Sequence, residues 1–410
     1  MSDCRPVFVL GGAQTDFARS WSREGGDLAS MIAEPVQGAL VDAGVDASDV
    51  EVGHVANFAS EIYCGQGHLG GLLVEAEPAF RGMPTSRHEA ACASGSVAVL
   101  AAMADLEADR YDVACVVGVE MMRNVPTRDA VANLGAAAWV PHETDGVAMV
   151  WPELFAALGD EYDRRYGLDS EHLAALARSS FDNARRNPNA QTRAWDLPAG
   201  AFEPDEHDNP VVAGRLRRHD CSQITDGGAA VILASADFAA EWAASHGIDL
   251  DAVPQIRGWG HTTARMGFAD KLRDEGPYVF PHVRGAILDA FDRARIADVA
   301  ELDAIECHDC FTTTHYMAID HFGITAPGES WKAIEDGTVL ADGPLPVNPS
   351  GGLIGCGHPV GASGVRMLLD ATKQVSASAG DYQVDGARTA ATLNIGGSAT
   401  TSVSFVVAAG

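Results

Sequence analysis

Lysine is almost missing. Only three occur in 410 residues (Lys271, Lys332 and Lys373), and arginine supplies the rest of the 28 basic side chains. Against 57 Asp and Glu they leave a formal net charge of −29. A field of that sign repels nucleic acid and anionic membrane, which argues against both as partners. An anionic ligand must then be met by a local cluster of Arg. Uninterrupted apolar runs of roughly 18 residues are also missing, so no membrane-spanning helix is expected. The opening Met1-Ser2-Asp3-Cys4-Arg5 lacks the basic-then-apolar order of an export signal, and Val406 to Gly410 carry no address tag. The expectation is a cytoplasmic protein, its acidity belonging to an acidic, Arg-using proteome or to adaptation to salt. Eight Cys are too few for a disulfide scaffold in a chain of this length and are expected as free thiols. No Gly-X-Y period accompanies the 43 Gly, so the chain is not fibrous, and 47% hydrophobic with 21% charged residues excludes global disorder.

What is present reads as an α/β protein. Pro6–Leu10 is a buried strand expected to end at Gly11-Gly12, and a helix is expected near Leu28–Ala43. Asp112–Val119, Ala229–Ala234 and Ser402–Val407 are apolar without alternation, as in strands covered on both faces. Residues 120–215 differ, being rich in Arg, Asn, Asp, Trp and Pro around one helix at Glu171–Arg185. They read as an insertion forming a lid or substrate-facing unit. An echo links distant segments. Cys92-Ala93-Ser94-Gly95 and Gly361-Ala362-Ser363-Gly364 each open a strongly apolar helix, 269 residues apart. This points to two related halves, 1–250 with the insertion and 251–410.

Four segments carry candidate chemistry. Cys92 stands at a loop-to-helix junction, just before Ser94 as the expected cap. Free backbone N–H groups and the helix dipole there lower a thiol's pKa and make it a nucleophile; a small buried core Cys is the alternative. Asn348-Pro349-Ser350-Gly351-Gly352, followed by Gly357-His358-Pro359, is too Gly-dense for regular structure. It turns tightly around one His, which can take a proton from a thiol. Glu306-Cys307-His308-Asp309-Cys310-Phe311 follows a strand expected at Leu302–Ile305 and precedes a helix ending at Gly323. Its Cys307-x-x-Cys310 spacing admits a redox or metal pair, but no second such pair exists to complete a zinc site. Asn394-Ile395-Gly396-Gly397 can present backbone N–H groups to an anion, or be a simple turn.

Together these segments resemble the thiolase superfamily, in its sterol-carrier-protein-linked and archaeal branch with a His-Asp-Cys-Phe motif. The likeness runs over essentially the whole chain, including Tyr162–Leu168, Asn183–Gln191 and Asp220–Leu233. It implies two similar halves in a five-layered α-β-α-β-α arrangement with an inserted loop domain. It implies an acyltransferase of lipid or fatty acid metabolism, acting on coenzyme A thioesters as 3-oxoacyl thiolase or acetyl-CoA acetyltransferase. By the same resemblance Cys92 is the nucleophile, His358 its base and Cys310 the second acid/base. His308 positions a water, and backbone N–H groups of Cys92 and Gly396 hold the oxyanion. Other thiolases carry their second Cys in Cys-x-Gly-Gly-Gly near the C-terminus; here Asn394 stands there, and Cys310 supplies the thiol. No metal and no covalently bound cofactor are implied. The partners implied are acyl-CoA and coenzyme A, a second copy as homodimer or dimer of dimers, and a small protein partner. Arg217 and Arg218, in the run Arg215-Leu216-Arg217-Arg218, are the expected local compensation for coenzyme A's charge. The competing readings are a thiolase-like lyase that cleaves side chains and a non-catalytic partner subunit of a larger complex.

Overall fold

The computed structural model describes residues 5–410. Its strands are β1 (Val7–Gln14), β2 (Val52–Ala56), β3 (Thr85–His88), β4 (Val113–Glu120), β5 (Val211–Ala213), β6 (Leu216–Arg217), β7 (Gly227–Ser235), β8 (Gln255–Thr263), β9 (Ala304–Cys307), β10 (Thr389–Gly396) and β11 (Thr401–Ala408). β5 and β6 make a small hairpin; the others form one sheet in the order β3-β2-β4-β7-β1-β8-β11-β10-β9. That order is one layout used twice. Outward from β1, the pairings run antiparallel to β7, antiparallel to β4, then parallel to β2 and β3. Outward from β8, they run antiparallel to β11, antiparallel to β10, then parallel to β9 and, through the Ile305–Val347 bridge, to one more extended segment. The two sets join through Val7↔Ile256 and Phe8↔Gln255, with Val9 N donating to Pro254 O just beyond.

Helices fill the layers. Alternate residues of β4 show why the strand sequence is apolar throughout. Cys115, Val117 and Val119 pack outward with Met31, Ile32 and Val36 of the helix Leu28–Ala43. Ala114 and Val116 pack inward with Ala98, Val99 and Ala102 of the helix Ser94–Glu107, and with Val365 and Leu368 of the helix Ser363–Val375. The helix Pro281–Ala294 covers the outer face of the second half. The result is helix, sheet, helix, sheet, helix. The two central helices begin backbone against backbone: a Cβ on Gly95 would lie 2.7 Å from Val365 N, and one on Gly364 would lie 2.4 Å from Ser96 N. Arg366 is buried on the second of these helices. It donates to Glu306 at 3.1 Å and Asp370 at 2.8 Å, and Glu306 also takes Ser350 N and Oγ. This network ties the Asn348–Gly352 loop to β9. Removing one partner of such a buried set costs about 3–5 kcal/mol.

Several expectations are corrected. β1 does not end at Gly11-Gly12 but runs to Gln14 with a bulge after Val9. Those glycines serve close approach, since a Cβ on Gly12 would sit 2.6 Å from Ala230 O and one on Gly11 2.6 Å from Ala43 N. Ser94 is not the cap, which is Ala93. The Gly-dense run contains one helical turn, Gly352–Cys356. Residues 120–215 hold not one helix but three, Thr127–Leu134, Val150–Tyr166 and Ser170–Ala184. The middle one was legible in Phe155, Leu158, Gly159 and Tyr162, all buried at helical spacing.

Candidate active site

The first half delivers a thiol. Cys92 lies in the turn between β3 and the helix Ser94–Glu107, directly after Ala91, whose φ of 50° is unusual for a residue with a side chain. Ser94 holds that turn. Its Oγ accepts from Ala90 N at 2.9 Å and donates to Ala91 O at 2.6 Å. The Cys92 thiol is not activated at rest as the helix N-terminus led us to expect. Burial pushes it up to about 12, outweighing the backbone N–H of Gly397. That N–H belongs to the residue after Gly396, the expected donor; Gly396 ends β10, and Gly397 turns at φ 61°. The turn is held from outside by Lys271, whose Nζ donates to Ser398 Oγ at 2.9 Å and Thr400 Oγ1 at 3.1 Å. Burial brings this lysine down to about 8.

The second half delivers an imidazole. His358 is 7% exposed and held neutral, its pKa lowered to about 3 by burial and then by Arg366. Its backbone N–H donates to Thr225 Oγ1, and Gly361 N donates to buried Glu120 on β4, so the loop is anchored to the other half. Ser363 Oγ donates to Pro359 O at 2.9 Å and therefore accepts from His358 Nδ1 at 2.7 Å. A neutral imidazole protonated on Nδ1 has a bare Nε2. Atoms of Cys92, His308 and His358 that can share a proton or a metal all lie within 4.8 Å of one another. A thiol and an unprotonated imidazole nitrogen at that range have the chemistry of a nucleophile and a general base.

His308, at the end of β9, stands edge-on to His358 with ring centroids 5.3 Å apart. Cys310 lines the same cavity, about 310 Å³, with Cys92, His308 and His358. Its thiol is raised well above the usual range, first by burial and then by Cys92. Cys307 faces elsewhere and takes Asn348 Nδ2 at 3.5 Å, so Cys307-x-x-Cys310 is not a shared pair. The remaining wall is mostly apolar, with Met149, Trp151 and Phe155 from the insertion, and turns polar at Arg218, Ser222 and Gln223. Trp151 is fixed by its Nε1–H to Leu134 O at 3.0 Å. Of the expected arginines, Arg218 lines the cavity and Arg217 does not. Arg217 donates to Asn209 O at 2.8 Å and Glu206 Oε1 at 3.2 Å.

Family models match both halves of the chain. The "Thiolase, N-terminal domain" model matches residues 7–237, and "Thiolase C-terminal domain-like" matches residues 271–409. The chain belongs to the thiolase family. An acetyl-CoA acetyltransferase of Methanothermobacter thermautotrophicus is 33% identical over 96% of this chain and 97% of its own. One from Methanocaldococcus jannaschii is 29% identical, over 89% and 88%. Human sterol carrier protein 2 is 26% identical over 96% of this thiolase and 70% of its own length. A solved chain described as "Ltp2-ChsH2(DUF35) aldolase" shares the fold, with a TM-score of 0.79 and 20% identity over 100% of this chain and 99% of that one. In this thiolase the supporting residues Ser363, Thr225, Glu120 and Lys271 escaped the sequence reading. Ser363 left a signal there as part of the echo, and Thr225 lay within the similar stretch Asp220–Leu233.

Proposed function

We propose that this thiolase transfers an acyl group between coenzyme A thioesters through an acyl-enzyme on Cys92. The observation that carries the reading is an imidazole nitrogen of His358 within 4.8 Å of the Cys92 thiol, on a ring whose Nδ1 is engaged by Ser363. His358 takes the thiol proton as Cys92 attacks the thioester carbonyl. Because the thiol rests near 12, the transfer accompanies attack rather than preceding it. The oxyanion is held by backbone N–H groups of Cys92 and the Gly396-Gly397 turn; one such donor contributes roughly 10²–10³ in turnover. Coenzyme A leaves as its thiol. Next, either free coenzyme A takes the acyl group back, or Cys310 removes a proton from the α-carbon of a second acetyl-CoA. The resulting enolate, its oxygen facing His308 and His358, attacks the acyl carbonyl and forms the new carbon–carbon bond as the bond to Cys92 sulfur breaks, and Cys92 leaves as a thiolate that regains its proton. Retention of Cys92 favours this over a lyase lacking the nucleophile.

Within this reading the chain divides at 250/251, ahead of β8, and residues 120–215 cover the acyl group. Arg218 at the cavity meets an anionic part of coenzyme A. The working unit is a dimer or dimer of dimers, with a small protein partner as a further candidate, in the cytoplasm. No metal or bound cofactor is required. The test is thiolysis of 3-oxoacyl-CoA chains of increasing length beside Cys92→Ala. Wild-type turnover in that variant would contradict the reading.

A further inference from the structure

His308 faces the same cavity as His358, yet its surroundings are different. The ring is 1% exposed, and its Nδ1 lies 3.2 Å from Nδ2 of Asn394, which is fully buried near the end of β10. The other arm of the amide, Oδ1, takes Ser96 Oγ at 2.9 Å. Which way the amide points is decided by what surrounds Oδ1. It sits where the two central helices begin: a Cβ built on Gly364 would lie 2.5 Å from Asn394 Oδ1 and 2.4 Å from Ser96 N. Gly364 is the second residue of one helix and Ser96 the third of the other. Helix N-termini carry partial positive charge and N–H groups without intrahelical partners. Two such helix starts close to one atom, with Ser96 Oγ donating to it, favour an amide oxygen there and oppose an NH₂.

With Oδ1 so placed, the amide NH₂ faces His308. An NH₂ donates and cannot accept, and a neutral imidazole has one donor and one acceptor nitrogen. Burial, then the neighbouring His358 and Arg366, hold His308 in its neutral form.

We propose that Asn394 is a positioning residue that locks the single proton of His308 on Nε2, facing the cavity. The two imidazoles are thereby set in opposite states. Ser363 leaves His358 with a bare cavity nitrogen that takes a proton. The Ser96–Asn394 pair leaves His308 with a cavity N–H that gives a hydrogen bond. The use of that N–H, on a thioester or enolate oxygen, rests on the thiolase reading above; the placement of the proton does not.

The test is ¹⁵N NMR of the resting full-length chain with labelled histidine, the His308 signals being assigned by their loss in His308→Gln. The expected spectrum has His308 Nδ1 as an unprotonated nitrogen and Nε2 as a protonated one. A proton on Nδ1 in the wild-type chain would overturn the proposal. In Asn394→Asp a carboxylate replaces the donor with an acceptor, and it suits the two helix N-termini. Nδ1 should then shift to the protonated position, and the pH–rate profile should gain an ionisation that the wild type lacks. An Nδ1 that stays bare in the variant would also overturn the proposal, since Asn394 would then not control it. If the variant does not fold, the wild-type spectrum decides alone. A chain with the expected spectrum whose Cys92 is never acylated would refute the thiolase reading and leave this one standing.

Discussion

The two halves of the molecule open their central helices with the same Ala-Ser-Gly, and the serines do different work. In the first half Ser94 bonds to backbone alone, bracing the turn whose Ala91 has positive φ and whose next residue is Cys92. In the second half Ser363 also bonds to a side chain, donating its O–H to Pro359 O and accepting from His358 Nδ1. One serine shapes a backbone and the other selects a tautomer. A repeated fold thus uses matching serines differently, one bracing the turn beside a thiol and the other holding an imidazole.

The comparison breaks most completely at the thiol. Cys92→Ala should lower thiolysis by about 10⁴-fold or more, because no acyl-enzyme forms. Ser363→Ala frees the His358 ring and its tautomer, and turnover should fall by roughly 10–10²-fold with KM for the thioester little changed. Steady-state kinetics at saturating coenzyme A separate the two constants; a pure KM effect would place Ser363 in binding instead. Ser94→Ala should act mainly on stability, at about 1 kcal/mol, the size of a lost local side-chain cap, read as a lower Tm with smaller loss of turnover. Larger kinetic damage from Ser94→Ala than from Ser363→Ala would reverse the assignment. The acylation rate sharpens the pairing further. With His358 at about 3 and Cys92 at about 12, it should stay flat from about pH 5 to about pH 9. It should fall only in acid, as His358 gains the proton that blocks it. An ionisation near neutrality would contradict a base held so far down. The smallest effect concerns the arginines: Arg218→Ala should raise KM a few-fold at low salt, while Arg217→Ala should not.

Much of this was legible in the sequence, and the misses have physical causes. The residues that meet in the cavity, Cys92, His358, His308 and Cys310, showed themselves because each sits in a glycine-dense or polar interruption of an apolar pattern. The layers followed from strands apolar on both faces, as β4 shows. Adjacent residues were the weak point. Gly396 and Gly397 differ by one step, and only the backbone path shows that the Gly397 N–H meets the resting thiol, a contact separate from the oxyanion donation expected of Gly396. Arg217 closes β6 while Arg218 opens the next turn, so they point to different places although they are neighbours. The echo located Ser94 and Ser363 but not their partners, since a hydroxyl's choice between backbone and imidazole depends on residues that only folding brings near. Asn394 read as the loss of a thiol. In the fold it stands between two helix ends and an imidazole.

The most direct measurement of the central claim is to expose the chain to acetyl-CoA, quench it, and locate the acetyl group by peptide mass spectrometry. The expected result is one acetyl group on the peptide bearing Cys92, absent in Cys92→Ala and strongly reduced in His358→Ala. An acetyl group on another cysteine, or equal labelling at Cys92 without the His358 imidazole, would contradict the pairing of these two residues.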